Sequence, residues 1–232
     1  RVFLAHYSAD SLAAAQPAGM LNFSILCFFL GVSVYTSTFV AQYMGAKQPE
    51  KVGPSVWHGV YIGMIGGLTL PFFAPFATDI FAFIGHAPEV QKEEVAFFRI
   101  LNFGAFFFLA NSAFSCFYSG RGKSWPIVWM NLSMTALNIL LDYLLIFGNF
   151  GFPRLGITGA GIATVASSAL VTVTYLVLFC KSSNHLRFQT RTSWRLQKAL
   201  LLRILRFGTP SGAHFFLDIM GFTIFVLLIG RI

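Results

Sequence analysis

Residues 130–164 read MNLSMTALNILLDYLLIFGNFGFPRLGITGAGIAT, and the first half of that stretch is an apolar run with a carboxylate inside it. Asn131, Thr135, Asn138 and Asp142 stand at i, i+4, i+7 and i+11, which on a helix draws one narrow stripe along a single face. Leu, Ile, Met and Ala fill most of the remainder. A carboxylate at the centre of a bilayer costs about 3 kcal/mol or more, so Asp142 is expected to face a protein or water-filled interior and to have a function. The alternative is a stripe that only joins neighbouring helices. Asn or Ser would serve that purpose without an ionisable group.

The rest of the 232-residue chain has the same character, with 56% hydrophobic residues, 10% charged and a mean hydropathy of +0.71. Most of its surface is therefore expected to face lipid, in an all-α integral membrane protein built as a polytopic helical bundle. Its 28 Phe residues either line an aromatic cavity that holds organic cations, or face lipid and pack between helices. Cys27, Cys116 and Cys180 are odd in number, far apart and set in apolar runs, which gives neither a disulfide framework nor a zinc pattern. The net charge of +8 raises nucleic acid as a partner. However, the basic residues fall in short gaps between apolar segments, where a positive-inside bias accounts for them. Membrane lipid is expected as a partner and nucleic acid is not.

Residues 1–16 are too short and mixed to span, and read as the tail of a helix followed by a loop. Five complete spans follow at about 17–43, 56–84, 95–119, 125–147 and 156–180, giving an N-terminal transmembrane lobe over 1–180. Pro71 and Pro75 should bend the second, while Pro126 sits in the first turn of the fourth, where its missing N–H costs nothing. The third span carries another polar stripe, Asn111, Ser115 and Ser119. The fifth opens with small residues that let helices approach closely, and Thr164 and Ser168 share a face. Residues 181–204 interrupt the pattern and read as a cytoplasmic basic amphipathic linker on the membrane surface. A sixth span, 205–232, carries Ser211, His214 and Asp218 at i, i+3 and i+7. At ~1.5 Å per residue each span is long enough for a ~30 Å hydrocarbon core. Because the chain starts at Arg1 and stops at Ile232 inside an apolar run, it reads as a piece of a longer protein.

Orientation follows from alternate loops. One set carries Lys47, Lys51, Arg121, Lys123 and the seven Lys or Arg from Lys181 to Arg206, whereas the other carries Lys92, Arg99 and Arg154. The first set is therefore assigned to the cytoplasm. Among the acids, Asp10, Glu50, Asp79, Glu89, Glu93 and Glu94 read as loop or span-end residues, which leaves Asp142 and Asp218 inside.

Four segments carry a resemblance: VAQYMGAKQPEKVG at 40–53, FYSGRGKSWPIVWMN at 117–131, NILLDYLLIFGNFGFPRLGITGAGIATV at 138–165 and FGTPSGAHFFLDIMGF at 207–222. In order and spacing they resemble the multidrug and toxic compound extrusion (MATE) transporters. The resemblance implies two six-helix lobes, of which this chain supplies one lobe lacking most of its first helix and the first helix of a second. It implies export of small-molecule organic cations by antiport with H⁺ or Na⁺, no other cofactor, and a monomer when full length. It also implies a multi-pass location in the cell membrane, the inner membrane in a bacterium. One lobe is not expected to transport alone, because alternating access rocks two halves around a shared site.

Position by position, Asn138 and Asp142 match the family's Asn-x-x-x-Asp pair, and Thr164 matches the Thr of its Gly-Ala-x-x-Ala-Thr motif. These three are the expected ion- or proton-coupling residues. Asp218 stands eight residues after Pro210, where many members have Glu, and with His214 it is a candidate second protonation site in the second lobe. Asn131, Thr135, Asn111 and Ser115 are expected to extend a polar stripe along the cavity. Having an acid at both Asp142 and Asp218 leaves the coupling ion open between H⁺ and Na⁺. Two other functions remain in view. A lipid-linked oligosaccharide flippase of the same superfamily would need a more cationic cavity than these spans provide. An intramembrane metal-dependent enzyme would use His214 and Asp218 with His58 or His86, but no HExxH or nucleophile motif is present. Neither a metal nor an enzymatic activity is expected.

Overall fold

The computed structural model describes residues 2–229 and is all-helical, with no strand among them. In order the helices are α1 (Val2–Tyr7), α2 (Ala9–Val34), α3 (Thr36–Gly45), α4 (Val52–Thr69) and α5 (Ala77–Ile84). They continue with α6 (Pro88–Ser119), α7 (Trp125–Phe147), α8 (Ile157–Phe179), α9 (Ser182–Phe188) and α10 (Lys198–Ile229). Five segments are long and apolar enough to cross a membrane: Ala9–Gly45, Pro49–Phe73, Pro88–Ser119, Trp125–Phe147 and Ile157–Phe179. The sixth long helix is α10.

Helix α6 is the centre of the packing, touching α2, α4 and α8, while α7 lies against α8 at the edge and α10 lies along α2. The core divides by depth. One buried cluster joins Val56, Phe114, Phe117, Tyr175 and Phe179 at the end carrying the linker, and another joins Ala14, Phe81, Phe98, Ile146 and Ile157 at the opposite end.

Several boundaries differ from the sequence expectation. Residues 9–16 are helical, not a loop, because the Ser8 hydroxyl caps α2 by accepting the Asp10 N–H at 3.2 Å and an Ala-rich run follows. The second span stops at Phe73, well short of the expected 84, since Leu70–Phe73 tightens into a 3₁₀ turn containing Pro71 before the chain restarts as α5. Helix α6 opens at Pro88, seven residues before the expected 95, with proline in the first helical position. The stretch 181–204 is not one amphipathic helix: α9 ends at Gln189 in left-handed geometry and α10 begins at Lys198.

Candidate functional site

The turn between α7 and α8 sets the site. Gly148 closes α7 in the left-handed region at φ 74°, where a side chain would be strained. The chain then doubles back so that the Leu155 N–H donates to the Leu145 carbonyl at 3.0 Å. Gly159 lies so close to α7 that a Cβ there would stand 2.6 Å from the Leu145 carbonyl oxygen, which fixes how tightly the two helices meet. One turn deeper, this brings Thr164 of α8 against Asn138 of α7.

The Asn138 amide donates to the Thr164 hydroxyl at 3.4 Å, and that hydroxyl donates to the Ala160 carbonyl at 2.9 Å. Both residues line a cavity of about 400 Å³ together with Asp142, Phe23, Phe97 and Met20. A smaller cavity of about 170 Å³ adjoins it through the shared walls of Gly19, Phe23, Leu101 and Thr164, and extends to Asn22 and Ser168. Among the described residues, no Lys or Arg lines either space. Asp142 is half-buried, and its Oδ1 is enclosed without a hydrogen-bond partner. The expected Asn138-to-Asp142 contact is not made, because Asn138 turns its amide across to α8.

The other expected site residues sit elsewhere. Asn131 and Thr135 are exposed, and the Thr135 hydroxyl donates to the Asn131 carbonyl at 2.9 Å. The stripe runs on along α7 past the end of the cavity, onto a face that no described helix covers. Asn111 and Ser115 are also outside it: the Asn111 amide meets the Met134 sulfur at 3.8 Å, and Ser115 donates to the Ser112 carbonyl. His214 and Asp218 do meet, with Nδ1 and Oδ2 3.0 Å apart, but they are 80% and 62% exposed. Gly208 and Gly212 turn the opposite face of α10 onto α2, so residues 214 and 218 point away from the lobe. Asp218 is thus not inside the described bundle.

Two features were missed by sequence reading. Glu94, expected in a loop, is wholly buried in the second turn of α6, and its Oε1 lies 2.7 Å from His86 Nδ1. The early start of α6 at Pro88 carries it inward. Asn22 and Asn102 pair across α2 and α6 at 2.9 Å. Each is a lone amide in an apolar run, a signal with no periodicity to mark it. His58, His86 and His214 have separate partners, and no cluster of three His, Cys, Asp or Glu occurs among the described residues. The constellation suggested for a metal-dependent enzyme is not assembled.

The family model described as MatE matches residues 1–144. Over 211 residues the chain is 29% identical to the probable multidrug resistance protein YoeA of Bacillus subtilis (strain 168), covering 90% of this chain and 46% of that protein. It is 26% identical over 233 residues to the probable multidrug resistance protein NorM of Thermotoga maritima, covering 98% of this chain and 49% of that one. The chain therefore spans about half the length of the curated relatives it matches. A solved multidrug resistance MATE family transporter of the MOP superfamily, in an outward-facing conformation, aligns at 24% identity with a TM-score of 0.80 over 92% of this chain and 47% of that one. An inward-facing structure aligns at 24% identity with a TM-score of 0.79 over 93% and 48%. These structures share the fold.

Proposed function

The chain belongs to the MatE family, and we propose that it forms one lobe, with the first helix of the second, of a secondary transporter that exports organic cations by antiport with H⁺ or Na⁺. It is a multi-pass membrane protein and not an enzyme. The observation that carries the reading is the Asp142 carboxylate, enclosed on one oxygen without a partner and facing a cavity of about 400 Å³. Leaving a buried polar atom unpaired costs about 1–3 kcal/mol. A proton, a Na⁺ ion or a cationic cargo relieves that cost, and binding of one displaces the others, which is the elementary requirement for exchange. Asn138 and Thr164 offer neutral oxygens beside it, the hard donors that suit Na⁺.

The lining also argues about cargo. Phe23 and Phe97 supply aromatic faces for a cation. Among the described residues the walls carry Asp142 and no Lys or Arg to hold a pyrophosphate, which favours cation export over the flippase alternative. The face of α10 with His214 and Asp218 is where a second lobe would complete the site, making Asp218 a second candidate for protonation.

The test uses everted vesicles containing the transporter, a fluorescent organic cation, and H⁺ and Na⁺ gradients imposed separately. Asp142→Asn keeps the shape and removes the charge change, so gradient-driven transport should fall to background while membrane insertion is retained. Wild-type transport by that variant would make Asp142 structural and overturn the assignment.

A further inference from the structure

The linker between α8 and α10 is gripped by one helix. From α4, the Trp57 indole N–H donates to the Thr190 carbonyl at 2.7 Å, and the Tyr61 hydroxyl donates to the Trp194 carbonyl. His58, fully buried, uses both ring nitrogens: Nδ1 pairs with the Pro54 carbonyl at 2.7 Å, and Nε2 accepts the Gln197 N–H at 2.8 Å. A carbonyl on one side and an N–H on the other select the neutral Nδ1–H tautomer. Residues 57, 58 and 61 face the same way on α4 and fix the linker backbone at three points, although its composition alone suggests a segment free to lie on the membrane.

The pinned linker walls a cavity of about 450 Å³, completed by Tyr43 of α3, Glu50 and Lys51 of the 3₁₀ turn before α4, and Arg203 of α10, with Gln189 and Gln197 from the linker itself. It shares no lining residue with the Asp142 cavity. Two cations from separate elements converge on it. The Lys51 ammonium lies 5.7 Å from the Tyr43 ring centroid, and the Arg203 guanidinium lies 5.4 Å from that of Phe39. Neither is within salt-bridge distance of a carboxylate among the described residues. The space lies at the Lys- and Arg-rich end of the bundle.

We propose that this cavity binds a phosphate oxyanion. A guanidinium fork, an ammonium point charge, two amides and a phenol make a donor set suited to phosphate oxygens. A pocket of this size accommodates a headgroup and not only a bare ion. The phosphate comes either from a phospholipid of the cytoplasmic leaflet, where basic pockets between helices bind headgroups, or from solution. Glu50 is the anionic group among the described lining residues, and it opposes the oxyanion.

The experiment is native mass spectrometry of the delipidated, purified chain in micelles, titrated with phosphatidylglycerol, with uncharged diacylglycerol as control. A parallel calorimetric titration uses inorganic phosphate. Phosphatidylglycerol retention should exceed that of diacylglycerol and fall roughly tenfold or more in the Lys51→Gln/Arg203→Gln double variant. Lys51→Arg should retain it, and Glu50→Gln should strengthen it. These two single variants preserve the test if the double variant does not fold. Retention of phosphatidylglycerol without calorimetric phosphate binding assigns the lipid source, and phosphate binding alone assigns the soluble one. Equal retention by wild type and double variant, no gain with Glu50→Gln, or no binding of either probe would overturn the proposal.

Discussion

At Asp142 the carboxylate has lost solvent on one oxygen without receiving a donor from either neighbour, since Asn138 and Thr164 bond to each other. In the proposed mechanism they therefore stand beside the carboxylate without bonding to it. Asn138→Ala removes the bond that ties α7 to α8 beside the cavity, as well as a potential ion ligand, so it should reduce gradient-driven transport about tenfold, as judged by initial rates of dye uptake into everted vesicles. Thr164→Ala should cost less, because Asn138 can turn back towards Asp142. The pairing was half legible: the spacing of Asn138 and Asp142 put both on one face, but the direction of the amide depends on a helix 26 residues later. Glu94 was not legible as a buried acid because α6 opens at Pro88, seven residues before the apolar run suggests, and carries it inward. Its Oε1 meets His86 and its Oε2 has no partner. Removing one member of a buried pair costs about 3–5 kcal/mol, while an isosteric amide keeps a hydrogen bond. His86→Ala should thus lower the melting temperature in micelles clearly more than Glu94→Gln.

Helices meet where side chains are missing. Along α2 and α10 a Cβ on Gly212 would stand 2.5 Å from the Phe28 carbonyl oxygen, and one on Gly31 would stand 2.6 Å from the Gly212 Cα. Backbone cannot yield as a flexible side chain does, so Gly212→Ala should destabilise this seam by about 1–3 kcal/mol. The seam has its own reporter in Ser24 and Thr223, whose hydroxyl oxygens are 2.6 Å apart. Cysteines placed at both positions, with the three native cysteines replaced, should crosslink readily and do so less once Gly212→Ala is added. The long helices were legible because twenty apolar residues admit little else in a bilayer, and the break at Pro71 because proline removes a donor. The linker was not. The hydrogen bonds that tie it to α4 come from residues more than 130 positions earlier, which local composition cannot reveal.

Charge gathers at one end of the bundle. The Arg121 guanidinium, in the turn between α6 and α7, lies 3.6 Å from the Phe117 ring centroid and 4.8 Å from that of Phe188 in α9. Burial pushes its pKa down to about 10, which still leaves it cationic at neutral pH. The turn bearing Lys51 packs against α9 as well, so the two turns and the linker, continued into the start of α10, gather eleven Lys or Arg on one face of the molecule. At the other end, Arg154 of the α7–α8 turn stacks 4.8 Å from the Tyr7 ring centroid, and Ser11 donates to Glu93. The arithmetic of alternate loops thus has a structural counterpart, and the positive-inside rule assigns the richer face to the cytoplasm. In intact cells, with the native cysteines replaced, a membrane-impermeant thiol reagent should label Phe150→Cys, whose parent side chain is 87% exposed in the α7–α8 turn. Lys123→Cys, in the α6–α7 turn, should react only after the membrane is opened. Labelling of Lys123→Cys alone in intact cells would invert the protein, placing the phosphate-binding cavity outside and reversing the direction of transport inferred for the Asp142 site.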